Sequence, residues 1–252
     1  MKSVKTNFEP SKVCAMIPAR IGSTRLRFKN LALLNGKPLI AYSILAAQQA
    51  GVFDRVVINS DSHVFRSIAD RYGVEFYKRP EHLGSSTTKS DDVVLDFMQN
   101  LSSEVVVWVN PISPLQTGEE IRRVVEFFKK ENLDSLITVR DEQVHCIYQG
   151  NPVNFEKTAK FSQTQELEPV QPFVYSVMMW RTESFLKSMK LQGHALLSGK
   201  VGYYPVNKLS SIIIKTDQDL KLAHYALRTI ETDEYEIEYD DLVLSVSKSK
   251  QN

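Results

Sequence analysis

The sequence predicts an α/β fold: a mainly parallel twisted sheet with helices on both faces. Short β-prone runs alternate with helical segments through the first half of the chain. The run from Glu104 to Val109 is apolar enough for a strand buried on both faces. The first run, Val13 to Ile17, leads into a loop rich in Arg, Lys and small residues, the place where open α/β sheets bind ligands.

Taken in order, the first strand should stop at Pro18, because proline cannot donate to a sheet ladder. A helix over Leu39–Ala50 follows, then a strand over Val56–Asn59 and a helix over Val64–Tyr72 with Gly73 as its stop. Val74–Tyr77 is short and β-prone. Ser90, Asp91 and Asp92 supply a cap and two acids to a helix ending near Leu101. Thr117 and Glu120 have capping-box spacing for a helix to about Asn132, and Ser135–Val139 closes the series.

From Arg140 to Pro172 the apolar periodicity fades, and the residues are rich in Gln, Asn, Glu and Pro. A structureless loop of that length is uncommon inside a domain. It reads as an inserted arm with a short hairpin, packing on a partner subunit or overhanging the site. Phe173–Trp180 resumes a β pattern, Glu183–Met189 is helical, Val201–Tyr204 is a strand, and Thr216 caps a helix from Asp217 to about Thr229. The expectation is one domain over 1–252, with the arm at about 140–172 and an acidic tail at about 231–252 whose last residues fray.

Composition narrows the function. A formal net charge of +1 argues against a general polyanion binder, so no nucleic-acid partner is expected. Cys14 and Cys146 are the only cysteines, too few for a disulfide framework or a thiolate metal site. The five histidines lack zinc-ligand spacing. The first residues, MKSVKTNFEPSK, lack the apolar core of a signal peptide, and no run reaches membrane-span length. The expected compartment is the cytoplasm, with no membrane partner.

The positive charge is local. Between Pro10 and Phe53 there is no Asp or Glu, yet Lys12, Arg20, Arg25, Arg27, Lys29 and Lys37 are present. Such clusters are often solvated faces. Here the position after a strand, with Gly22, Ser23, Thr24 and Asn30 interleaved, favours a cradle for a phosphorylated anion. Neither a dinucleotide fingerprint nor a P-loop is present, so Arg and Lys side chains must hold the phosphates.

IPARIGSTRLRFKNL followed by NGKPLIAYSI resembles the CMP-sugar acid synthetases, the cytidylyltransferases that activate sialic (acylneuraminate) acids and 2-keto-3-deoxy-manno-octonic acid (Kdo). Ser23-Thr24-Arg25 echoes the Kdo branch and Lys29-Asn30 the sialic branch, and four segments match in order over about residues 13–227. The resemblance implies a nucleotide-diphospho-sugar transferase-like fold and a homodimer joined by an exchanged arm. It implies transfer of CMP from CTP to the anomeric hydroxyl of a 2-keto-3-deoxy sugar acid, releasing pyrophosphate, for cell-surface polysaccharide synthesis. The partners are then CTP and the sugar acid.

Residue by residue, Arg20 and Lys29 match the family's phosphate-contacting positions, with Ser23, Arg25 and Asn30 in the same loop. Arg79 and Ser90 match positions that contact cytosine in the sialic branch, although Ser86 stands where the family has an acid. Asn110, in Asn-Pro-Ile-Ser-Pro-Leu, replaces the Gln of the sialic signature and would reach the sugar. Tyr175-Ser176 lies near the branch's Asn-Gly pair, so Tyr175 would narrow the sugar pocket or stack on a different substrate.

The largest departure concerns the metal. The family's Mg²⁺-binding Asp residues correspond to Ile213, Lys215 and Ile112, and an ammonium cannot coordinate Mg²⁺. Either Mg²⁺ arrives on the nucleotide alone and Lys215 joins Arg20 and Lys29 as a catalytic charge, or catalysis is lost. The second case makes the chain a non-catalytic nucleotide or nucleotide-sugar binding protein. A nucleotidyltransferase using another nucleotide or a non-acid sugar is a third reading.

Overall fold

The computed structural model describes residues 11–232 and 236–240; the first ten residues and most of the acidic tail lie outside them. In chain order the elements are β1 (Ser11–Ala19), a small hairpin of β2 (Leu33–Leu34) and β3 (Lys37–Pro38), α1 (Leu39–Ala50), β4 (Arg55–Ser60), α2 (Val64–Tyr72) and β5 (Glu75–Lys78). Then come α3 (Ser90–Asn100), β6 (Ser103–Val109), α4 (Gly118–Lys130), β7 (Ser135–Val139), and a second hairpin of β8 (Ile147–Tyr148) and β9 (Asn151–Pro152). β10 (Phe173–Arg181), α5 (Thr182–Gln192), β11 (Val201–Pro205) and α6 (Asp217–Thr232) complete the fold.

Seven strands form the main sheet in the order β11-β7-β10-β6-β1-β4-β5, and β10 alone runs antiparallel to its neighbours. Alternation along each strand builds two cores. Ile17 and Val107 face Ile44, Phe65 and Phe128 from α1, α2 and α4. Met16 and Val106 face Phe97 and Phe185 from α3 and α5. The helices α1 and α4 approach so closely that a Cβ on Gly118 would sit 2.8 Å from the Ala46 carbonyl oxygen and the Ala50 nitrogen. Only glycine fits there.

The predicted alternation of strands and helices is present, with three local corrections. β1 continues through Pro18 to Ala19, because β4 accompanies it to the end while pairing with β6 has stopped at Met16. A missing N–H is tolerated at such a strand end. Ser90 is the first residue of α3 and not its cap; Lys89 holds the cap position without a side-chain bond. Thr117 caps α4 as expected by accepting from Glu120 N at 3.2 Å, but the Glu120 carboxylate leaves the box to bind Asn207 and Gln116.

The arm contains the expected short hairpin. Its turn, Gln149-Gly150, has φ of 49° and 79°, the left-handed pair that tight hairpins require. A bridge between Glu142 and Val170 closes the arm's base. The other hairpin, β2–β3, escaped the sequence reading, although Asn35-Gly36 between its strands has the same signature. A small cluster of Leu34, Leu39, Ile214 and Ala223 fastens α6 to that hairpin. Among the described residues, no helix is long and apolar enough to cross a membrane.

Candidate nucleotide site

A cleft of about 290 Å³ opens beside the carboxyl ends of β1 and β6. The loop after β1 contributes Arg20, Ser23, Arg25, Lys29 and Asn30. Arg79 follows β5, Ser90 heads α3, Asn110 follows β6, and Lys215 precedes α6. Every candidate named from the sequence lines this cleft except Tyr175.

The cationic loop is held from several sides. Asp61 Oδ1 accepts from the Ile21 backbone N–H at 3.1 Å, and Asn30 Nδ2 donates to the Arg20 carbonyl at 3.3 Å. Phe28 adopts the left-handed region, φ 52°, a costly conformation for a bulky residue. The turn leaves Arg27 outside, over the Phe28 ring at 4.7 Å, and sends Lys29 inward. Burial, then the neighbouring Arg25 and Arg20 charges, lower the Lys29 pKa to about 8, with Lys215 adding to the effect and Asp219 opposing it. A cation displaced from water among other cations is a ready partner for a polyanion.

Arg79 is only 4% exposed. Its Nη2 lies 3.8 Å from Asp61 Oδ1, and burial lowers its pKa while Asp61 and Asp96 oppose the shift. Its Nε has no hydrogen-bond partner among the described residues; the same holds for Asn30 Oδ1 and Trp108 Nε1. All three side chains border the cleft. Buried polar atoms are rarely left unpaired, so two donors and one acceptor here mark a place for a polar ligand. Pro18, Leu83, Val93 and Trp108 supply an apolar wall beside them. Ser90, released from capping, brings a hydroxyl to the same cleft.

Asn110 is braced through its backbone and side chain. Its N–H donates to the Ser176 carbonyl at 2.9 Å, its Nδ2 donates to the Tyr175 carbonyl at 3.0 Å, and its own carbonyl accepts from Ser43 Oγ at 3.2 Å. Tyr175 sits at φ 60°, within the irregular stretch of β10 between Phe173 and Met178. That turn aims its carbonyl at Asn110, while its ring lies edge-on to Phe173 at 5.6 Å, outside the cleft. Tyr175 was expected in a sugar pocket; its ring does not line this cleft, and its backbone positions Asn110.

A protein-held Mg²⁺ does not fit these residues. Among the described residues no Asp or Glu lines the cleft, and no group of three or more His, Cys, Asp or Glu could hold a metal ion. Ile112 and Ile213 offer no side-chain oxygen, and the Ile112 carbonyl is engaged by Ile214 N at 2.8 Å. Sequence reasoning missed Trp108, which sits in a run of valines and reads as core. Its indole N–H, unusual in a buried strand, was the available signal.

A cationic cleft with an apolar wall and unpaired buried donors, at the carboxyl edge of a sheet covered on both faces, defines an α/β protein with a site suited to a polar, anionic ligand. The chain belongs to the cytidylyltransferase family, whose model matches residues 14–241. It is 35% identical over 120 residues to N-acylneuraminate cytidylyltransferase of Escherichia coli, covering 47% of this chain and 29% of that protein. It is 36% identical over 124 residues to CMP-N,N'-diacetyllegionaminic acid synthase of Legionella pneumophila, covering 47% of this chain and 53% of that one. The chain thus spans about half or less of the length of these relatives. In fold it is similar to a solved CMP:2-keto-3-deoxy-manno-octonic acid synthetase complexed with CTP, with TM-score 0.67, 13% identity, and coverage of 87% of this chain and 99% of that one.

Proposed function

We propose that the protein transfers CMP from CTP to the anomeric hydroxyl of a 2-keto-3-deoxy sugar acid and releases pyrophosphate. One observation carries this reading: a cationic cradle of Arg20, Arg25, Lys29 and Lys215 adjoins an apolar wall where two buried donor atoms, Arg79 Nε and Trp108 Nε1, lack partners. Cytosine offers O2 and N3 as acceptors, which Arg79 and the Ser90 hydroxyl suit. The names of the relatives support a sugar acid as acceptor.

In the reaction the anomeric oxygen attacks the α-phosphorus, the bond from that phosphorus to the β-phosphate bridging oxygen breaks, and the hydroxyl proton passes to water. Such a transfer depends on positioning and on stabilising the oxygen charge. Arg20, Arg25 and Lys29 hold the triphosphate, Ser23 and Asn30 complete the cradle, and Asn110 is braced to meet the sugar. Lys215 provides a fixed charge where the resembling enzymes place metal-binding acids. The same missing acids favour one rival reading, a binding protein that no longer catalyses.

The assembly we propose is a homodimer joined through the 140–172 arm, which presents the exposed side chains of Ile147, Tyr148 and Phe161. With CTP as donor, the reaction belongs in the cytoplasm. The test is pyrophosphate release from CTP, UTP, ATP and GTP with a panel of 2-keto-3-deoxy acids, with and without Mg²⁺. Release confined to CTP and an acid is expected. CTP binding without release on any acid would leave the binding-protein reading standing.

A further inference from the structure

A second cavity, also about 290 Å³, shares Lys215 with the nucleotide cleft and is lined further by Arg140, Phe173, Ser211, Ile213 and Asp219. The segment that carries Lys215 between them, residues 206–216, contains neither helix nor strand. Its place is set by bonds to the loop after β6 and to α4. Ile214 N donates to the Ile112 carbonyl at 2.8 Å, Ser113 Oγ to the Ser210 carbonyl, and Ser210 Oγ to the Leu115 carbonyl at 3.4 Å. The two loops are thus stitched into one unit, with Asn110 on one and Lys215 on the other.

The end of this unit away from Lys215 is held by Glu120, which lies in the first turn of α4 and is only 3% exposed. Its Oε1 accepts from Asn207 N at 2.8 Å and Asn207 Nδ2 at 2.9 Å, and its Oε2 from Gln116 Nε2 at 2.7 Å. Asn207 then shapes the turn: its Oδ1 accepts from Ser210 N at 2.9 Å and its carbonyl from Ser211 N at 3.2 Å. The anchor is firm, because Gly118 seats the same turn of α4 closely against α1. Among the described residues Glu120 forms no ion pair. Three N–H donors and the amino end of a helix stabilise its charge instead. A buried carboxylate without a cation is a costly way to hold a loop, where an apolar contact of the same shape would serve stability as well. What the carboxylate adds is direction.

We propose that Glu120 is a positioning residue for the transfer reaction. Acting through Asn207, its carboxylate fixes the path of residues 207–215, and so the point at which Lys215 stands between the two cavities. Glu120 itself lines neither cavity. A misplacement of about 1 Å can cost roughly 100-fold in rate, so a loop that carries a catalytic charge needs such a latch. The proposal rests on the CMP-transfer reading, with Lys215 as its fixed charge, and deepens it.

The test measures kcat and KM for pyrophosphate release from CTP with an accepted sugar acid, and backbone amide exchange in the free protein. Glu120→Ala should lower kcat roughly tenfold or more and leave KM for CTP within about twofold, since Arg20, Arg25 and Lys29 are untouched. Glu120→Gln should retain most of the rate. Its amide oxygen still accepts from Asn207, and its NH2 meets Gln116 Oε1, which has no partner among the described residues. Asn207→Asp sets two carboxylates face to face; it should resemble Glu120→Ala and takes its place if the alanine variant does not fold. Adding Glu120→Ala to Lys215→Ala should cost little beyond Lys215→Ala alone, whereas a general loss of stability would cost both backgrounds alike. In Glu120→Ala and Asn207→Asp the amides of Ser210, Ser211 and Ile214 should exchange faster, while those of β6 keep their wild-type rates. Wild-type kcat in these two variants, an equal loss in both backgrounds, or unchanged exchange at those amides overturns the positioning role and leaves CMP transfer intact. CTP binding without release on any acid in the wild type overturns the transfer reading and the catalytic role of Glu120 with it, even where amide exchange shows that the latch holds the loop.

Discussion

The Lys29 ammonium donates to the Ile214 carbonyl oxygen across 3.1 Å, joining residues 185 positions apart in the chain. The contact ties the cationic loop after β1 to the segment that presents Lys215. It also keeps Lys29 out of water among cations, which is why its pKa falls from 10.5 to about 8.

A triphosphate beside Lys29 should raise that pKa back towards its ordinary value. Below about pH 7 the lysine is charged with or without nucleotide, so binding takes up no proton there. Above pH 8 the free protein must gain a proton to bind. CTP affinity should therefore weaken as pH rises through about 8, and calorimetric enthalpies at pH 8.5 should differ between buffers of different ionisation heat. Lys29→Met should abolish the difference. A buffer-independent enthalpy in the wild type would refute the assignment.

Asp61 serves Arg79 and the cationic loop together. Asp61→Ala removes the charge facing a buried guanidinium and the acceptor for Ile21 N. Breaking a buried pair from one side costs about 3–5 kcal/mol, the lower end applying to a contact this long. Urea unfolding should show that loss, and CTP should recover part of it by giving Arg79 a new acceptor. Gly84→Ala should act in the same direction without changing charge, because a Cβ there would overlap the Asp61 side chain. Wild-type stability and CTP affinity in both variants would show that Asp61 organises nothing.

The sheet and the cationic part of the candidate cleft were legible because both are local in sequence. β1, β4, β6 and β7 are short apolar runs with clear ends, and the Arg20–Asn30 loop follows its strand directly. What stayed hidden depends on long-range packing. The neighbours of Lys29 include Ile214 and Lys215, and only the folded sheet brings that distant segment to the loop. Arg140 and Phe173 flank an arm without periodicity, so nothing local marked them as walls of one pocket. Ser90 and Pro18 were misjudged for a different reason. Capping and strand-end rules describe averages; at Pro18 pairing with β4 carried the strand on, whereas α3 simply begins one residue earlier than the cap rule placed it.

The arm makes its own prediction. Ile147 is 64% exposed, Tyr148 69% and Phe161 77%, with Phe161 stacked on His145 at 3.9 Å. Apolar side chains clustered on an exposed projection mark an association surface. Light scattering should report a dimer at micromolar concentration, and Ile147→Glu with Tyr148→Glu should yield a folded monomer with an unchanged far-ultraviolet dichroism spectrum. A wild-type monomer would reassign the arm to covering the site.

Lys215 separates an adapted enzyme from one that only binds. It lines both cavities and so sits at the seam between them, where the transfer proposed above would place the triphosphate. Its backbone is fixed by Asp219, which leaves the side chain to reach into the seam from a set position. Burial tends to raise the Asp219 pKa, but donation from Lys215 N and Thr216 outweighs it, and the carboxylate that locks this turn stays ionised below the ordinary range. Lys215→Ala should lower kcat by roughly 100-fold or more, the loss seen when one preorganised charge stabiliser is removed. CTP affinity should fall far less, because Arg20, Arg25 and Lys29 still hold the phosphates. Lys215→Arg should recover part of the rate, whereas Lys215→Asp should not, since Ile112 and Ile213 add no oxygen to complete a metal site. Steady-state kinetics of the four proteins, repeated across a Mg²⁺ titration, decide the matter. Turnover unchanged in Lys215→Ala would show that the charge at the seam is not what drives the transfer.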